Sequence, residues 1–233
     1  MESSDDVSLE LSFLKLRSLR MDLMASFNEI IRTRRSIRKF SGGPIENDVL
    51  KALVEAATFA PSGCDCQNWQ FIAIKSKQNI EPLAEAVEKG IRRIFRDEDE
   101  DFINSRIKQM TFFRKAPVVF LVYKTEMEYH DPRVVEDLEK YGIPKEEVMN
   151  YMGQPDVLGV AAAIENLLLK AVELELGACW MCDPIICEPE IAKEFEIPEN
   201  WKLVGVIPVG RNGGYFPREK YIKDVDEVLE IIE

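Results

Sequence analysis

Ala116-Pro117-Val118-Val119-Phe120-Leu121-Val122-Tyr123 is a continuous apolar run of strand length. A strand wet on one face alternates apolar and polar residues, so an unbroken run marks a strand covered on both faces. Leu203-Val204-Gly205-Val206-Ile207-Pro208-Val209 repeats the pattern downstream. Upstream, Trp69 to Lys75 alternates and is rich in β-formers, which makes it a third strand. Ala178 to Met181 reads as a short fourth.

Helical spacing fills the intervals. Asp22 to Arg32 is a helix. Val49 to Phe59 places Leu50, Leu53, Val54 and Ala57 on one face and stops at Ala60-Pro61. Pro82 to Phe95 and Phe102 to Phe113 follow, with the charged run Arg96 to Glu100 read as a solvated loop or helix start. Val157 to Leu176 is long and buried, with Ala161, Ile164, Leu168, Ala171 and Val172 inward and Gly177 as its C-cap. Glu188 to Phe195 is a short helix. Few strands among many helices give an α/β or α+β domain whose central sheet carries helices on both faces. The tail from Val225 to Ile232 is amphipathic.

The length of 233 residues suits one large domain or two small ones, and 46% hydrophobic residues suffice for a core. A net charge of −12 argues against nucleic acid as a partner. No apolar run reaches membrane-span length, and the acidic start Met1 to Asp6 is unlike a signal peptide. A soluble, cytoplasmic protein is expected. Residues 1–20 read as an extension, either a packed helix or a loose segment. Residues 21–233 read as one domain. Residues 124–150 are polar and weakly patterned, an insertion able to form a lid, and hold the chain's one histidine, His130. A lone histidine in a polar loop is ordinarily a surface residue.

Against this acidic background, Ile31-Arg32-Thr33-Arg34-Arg35-Ser36-Ile37-Arg38-Lys39-Phe40 concentrates five of the thirty basic residues. Arginine forks beside a hydroxyl suit a phosphate. The alternative is a solvated helix end complementing the helix dipole. Two other stretches join it in order: Ala60-Pro61-Ser62-Gly63-x-x-x-Gln67-x-Trp69, leading into a strand, and Leu176-Gly177-Ala178-Cys179-Trp180-Met181, after the long helix. With Ile207-Pro208-Val209-Gly210 and the basic loop from Gly210 to Lys220, this order resembles the FMN-dependent nitroreductase family over residues 24–222.

The resemblance implies an α+β three-layer fold, with a mostly antiparallel central sheet between helical layers, in an intertwined homodimer with FMN at the subunit interface. It assigns the FMN phosphate and pyrimidine edge to Arg34, Arg35, Ser36 and Arg38. Pro61, Ser62, Gly63, Cys64 and Asp65 would cover the flavin of the other subunit. Met181, Cys182 and Asp183 would lie near the flavin N5, and Arg211, Arg218 and Lys220 would return to the phosphate. No side chain is expected to act as a nucleophile, and no metal is expected. The family often has Asn where this chain has Asp65 and Pro where it has Asn68. A carboxylate near the flavin disfavours its anionic reduced form. Two roles are therefore open to Asp65: contact with the flavin, turned away or protonated, or selection of a substrate with a cationic or donor group.

The implied activity is hydride transfer from NADH or NADPH to FMN and then to an electron-poor small molecule such as a nitroaromatic or quinone, in ping-pong order. No Gly-x-Gly-x-x-Gly fingerprint distinguishes the two nicotinamides. A reading of another class uses Cys64, Cys66, Cys179, Cys182 and Cys187 as a thiolate metal-binding or redox-sensing set.

Overall fold

The computed structural model describes residues 27–127, 131–144, 147–214 and 219–233. The extension 1–20, His130 and Arg218 lie outside them. The unbroken apolar run forms β3 (Val118–Lys124), which pairs antiparallel with β2 (Trp69–Lys75) on one side and β5 (Lys202–Asn212) on the other. Two short strands, β1 (Phe40–Ser41) and β4 (Gly177–Ala178), add to β5, also antiparallel.

Successive β3 side chains enter different cores, which is why the run has no polar break. Val118, Phe120 and Val122 join a cluster with Leu53 and Ala57 of α2 (Asn47–Thr58) and with Val160, Ile164 and Leu167 of α7 (Pro155–Glu173). Val119, Leu121 and Tyr123 join the opposite cluster. It contains Leu83 and Val87 of α3 (Lys77–Ile94), Ile107 of α4 (Glu100–Met110) and Ile191 of α8 (Glu188–Glu194). The result is the expected three-layer α+β arrangement. Each fully buried aliphatic or aromatic side chain contributes about 1.5–3 kcal/mol of transfer free energy.

Several element ends differ from the sequence reading. Of the two readings of the charged run before Phe102, the helix start holds: the Asp99 side chain accepts from the Phe102 amide at 2.8 Å, with Glu100 and Asp101 in the first turn of α4. Gly177 is not the C-cap of α7. Leu174 is, and Glu175 takes the left-handed position at φ 56°. Leu176 N–H donates to Ala171 and Glu175 N–H to Val172, the paired bonds of a Schellman end. Gly177 is required for packing, because a Cβ there would lie 2.7 Å from Ile37 Cγ2. Ala161 and Val172 of α7 are half-buried, and Ala163 and Leu167 fill the core instead.

The weakly patterned insertion contains α5 (Pro132–Lys140), capped by Asp131, and α6 (Val148–Tyr151). The loop expected from Gly210 begins later, since β5 continues to Asn212. At the C-terminus, a short turn at Val225–Glu227 is followed by exposed Val228, Leu229, Ile231 and Ile232.

Candidate functional site

Residues 27–33 form α1, and the basic stretch begins where it ends. The Arg35 guanidinium folds back on the carbonyls of Arg32 (2.6 Å) and Arg34 (2.8 Å) and so caps that helix end. Arg35 therefore follows the dipole reading. Arg34 turns toward α7, with its Nε 3.2 Å from Glu165 Oε1. Ser36 bridges Ala178 in parallel register, and Ile37 N–H donates to the Ala178 carbonyl at 2.9 Å. Ile37 is buried against Gly177, so Arg38 emerges beside the segment that follows β4.

That segment runs along β5. Cys179 N–H donates to Pro208 at 3.3 Å, and Met181 exchanges two 3.0 Å bonds with Val206. The Trp180 indole donates to the Val204 carbonyl at 3.2 Å over Gly205, where a Cβ would lie 2.6 Å from the indole nitrogen. Cys179 is buried with Arg38, the Ser36 hydroxyl and Arg34 around it. Burial pushes its thiol pKa up, while those three groups act in the opposite direction. Burial and neighbouring Asp183 also raise the Cys182 thiol.

A cavity of about 670 Å³ opens between these elements, lined by Arg38, by Cys179 through Asp183, and by Ser105, Lys108, Gln109 and Phe112. The contribution of α4 was not read from the sequence. Ser105, Lys108 and Gln109 lie at helical spacing beside the buried Ile103, Ile107 and Met110, and such a polar stripe ordinarily faces solvent.

The loop at 61–67 is placed elsewhere. Its Ser62 packs on Gly159 near the start of α7, whereas Arg34 meets that helix six residues further on, at Glu165, and Gly177 follows its C-terminal end. From Gly159 to Glu165 the helix rises about 9 Å. The loop is strained: Cys64 (φ 53°), Asp65 (φ 53°) and Gln67 (φ 48°) all occupy the left-handed region. Ser62 Oγ accepts from Gln67 N–H at 3.0 Å, and Gly63 packs between Met127 and Pro155, so surrounding contacts hold the strain. Pro61, Cys64 and Asp65 are exposed. Asn68 is buried and donates to the carbonyls of Thr125 and Asp156, tying the loop to α7. A proline there has no side-chain donor for this.

Arg211 is exposed on β5, and its carbonyl accepts from Ser41 Oγ at 3.4 Å, beside the basic stretch. Lys220 is exposed in the segment after it.

The chemistry of this ground suits a flat, phosphate-bearing cofactor. It offers Arg38, a backbone edge and the apolar Phe112 and Met181 around one cavity, with Arg34 and the Ser36 hydroxyl close to Cys179 of its lining. The five cysteines do not converge in the same way. Cys64 and Cys66 are on the strained loop, Cys179 and Cys182 flank the cavity, and Cys187 is fully buried with its Sγ on the Val87 carbonyl. Among the described residues, no group of three or more His, Cys, Asp or Glu is placed to hold a metal ion. Among them too, no helix is long and apolar enough to cross a membrane.

The Nitroreductase family model matches residues 31–211. Iodotyrosine deiodinase 1 of Rattus norvegicus is 25% identical over 212 residues, spanning 87% of this chain and 68% of that protein. A Bacillus subtilis (strain 168) protein with the provisional name NAD(P)H nitroreductase YfhC is 25% identical over 186 residues, 78% of this chain and 82% of its own length. Among solved structures, a BluB-like flavoprotein from Clostridium difficile 630 superposes with a TM-score of 0.73 at 24% identity, covering 88% of this chain and 98% of that one. A nitroreductase with bound FMN from Bacteroides fragilis NCTC 9343 gives 0.66 at 24% identity over 89% and 98%.

Proposed function

The chain belongs to the Nitroreductase family, and from that premise we propose that it is a homodimeric, FMN-dependent oxidoreductase driven by NADH or NADPH. When bound, FMN supplies the two-electron chemistry, carrying hydride from the nicotinamide to an electron-poor acceptor such as a nitroaromatic or quinone in ping-pong order. The observation that carries this reading is the gathering of Arg34, Ser36 and Arg38 around Cys179, with Arg38 and the Cys179–Asp183 segment lining one cavity.

The residues divide the work. Arg34, Ser36 and Arg38 hold the phosphate end, with Arg211, Lys220 and Arg218 as candidates from the later segment. Arg35 sets the geometry of the stretch by capping α1. To take up phosphate, Arg34 exchanges Glu165 for the ligand, a half-exposed partner that is released at little cost. Met181, Cys182 and Asp183 line the reactive edge, and Lys108 and Gln109 of α4, with Phe112 just beyond that helix, face the acceptor. No side chain acts as a nucleophile.

Two features support the dimer. Pro61, Ser62, Gly63, Cys64 and Asp65 do not line the cavity beside Arg38 of their own chain, so they would serve the partner's flavin. The terminal Tyr221, Ile222, Val225, Val228, Leu229, Ile231 and Ile232 are each more than half exposed, and a second copy would cover them. Residues 21–233 then act as one FMN-binding domain. The direct test is FMN binding by the Arg34→Ala/Arg38→Ala variant. The reading expects its loss with the fold retained, and unchanged FMN affinity contradicts it.

A further inference from the structure

Cys64, Asp65 and Gln67 hold left-handed backbone without being glycine. Such conformations persist only where neighbouring contacts enforce them. Of residues 61–68, only Asn68 is buried, at 3% exposure. Its Nδ2 donates to the Thr125 carbonyl at 3.3 Å and to the Asp156 carbonyl at 3.1 Å, and its own carbonyl accepts from Thr125 N–H at 2.8 Å. Its Oδ1 is buried with no hydrogen-bond partner. A buried acceptor left unpaired is costly, so what this side chain gives the structure is the two bonds it donates.

The two acceptors belong to a junction that is itself fixed. Thr125 directly follows β3, and Asp156 lies in the first turn of α7. Lys124, the last residue of β3, is paired with the Asp156 carboxylate, which is 5% exposed. Trp69, next to Asn68, faces Lys124 in the β2–β3 register. Asn68 therefore fastens the exit of the loop to β3 and α7 at the point where an ion pair clamps them together. Ahead of it in the loop, Pro61, Cys64 and Asp65 stay exposed.

We propose that Asn68 is a positioning residue for the flavin site of the other subunit. Through its two side-chain bonds it holds residues 61–67 in the shape that covers the partner's FMN. The inference rests on the dimeric, FMN-binding reading given above. A proline at this position supplies neither bond.

The test is FMN titration, followed by flavin fluorescence, of the purified Asn68→Ala protein, with circular dichroism and sedimentation checking fold and mass. The expected result is FMN affinity weaker by about ten-fold, the worth of one lost hydrogen bond, at unchanged dimer mass. Asn68→Ser, which keeps one donor, gives a smaller loss in the same direction and serves where the alanine protein does not fold. Mixed dimers separate this role from a structural one within the same chain. One co-expressed subunit carries Asn68→Ala and the other Arg34→Ala/Arg38→Ala, and two affinity tags isolate the pair. One site then joins intact arginines to an intact loop and the other has neither, so one FMN binds per dimer at wild-type affinity. Weak binding at both sites of the mixed dimer, or wild-type affinity in the folded Asn68→Ala and Asn68→Ser proteins, would overturn the assignment alone. An unmutated protein that binds no FMN would overturn the underlying reading, and the assignment with it.

Discussion

At the scale of single residues, the two arginines bear most of the functional reading. Each charge-assisted contact to a phosphate is worth about 1.5–3 kcal/mol. Removing Arg34 and Arg38 together should therefore weaken FMN by a hundred-fold or more, measured by flavin fluorescence titration. Cys187 gives a separate prediction about pH. Its thiol is fully buried, and burial, with Glu190 adding, pushes its pKa up to about 12. An unfolded thiol titrates near 8.5. Below that value both states hold the proton and the stability contribution is intact. Above it the unfolded chain releases its proton first, so stability falls until the folded thiol also titrates near 12. Urea midpoints should drop between pH 8 and pH 11, and Cys187→Ala should lose less over the same interval. A variant with the same alkaline loss would show that other groups cause it. Arg34, Ser36 and Arg38 were legible in the sequence as a cationic cluster in an acidic chain. Glu165 was not, because it meets Arg34 only through the packing of α7 against the end of α1.

At the scale of elements, β2, β3, β5 and the body of each long helix could be read from periodicity, because their burial repeats along the chain. Ends were harder. Gly177 follows a helix closely enough to look like its cap, but its lack of a side chain serves a contact with Ile37 about 140 residues away. Two substitutions separate these roles. Glu175→Gly should stabilise the protein by about 0.5–1 kcal/mol, since glycine relieves the left-handed backbone at the true cap. Gly177→Ala should destabilise it by about 1–3 kcal/mol through overpacking on Ile37. Because Ile37 positions Arg38, Gly177→Ala should also weaken FMN, whereas Glu175→Gly should not. Thermal melts and flavin titration of both variants distinguish the outcomes. Helix α5 escaped sequence reading for a related reason: with no buried residue, it lacks the apolar stripe that marks a packed helix.

At the scale of the whole molecule, the spacing of three distant motifs made the family legible, and the sheet explains why they recur in that order. β5 gathers the Arg38 and Cys179 segments along one edge, while β2 carries the strained loop away to the start of α7. This geometry makes assembly part of the function. Sedimentation should give twice the chain mass of 26.7 kDa. A chain ending at residue 220 should dissociate, losing the apolar tail, and retain FMN poorly. The most direct test of the central claim is the anaerobic visible absorption spectrum of the purified, FMN-saturated protein before and after addition of NADH, then NADPH. Bleaching of the oxidised flavin band by at least one nicotinamide, followed by its return on addition of a quinone, is the predicted result. A protein that remains colourless after incubation with FMN, or a bound flavin that neither nicotinamide bleaches, would contradict it.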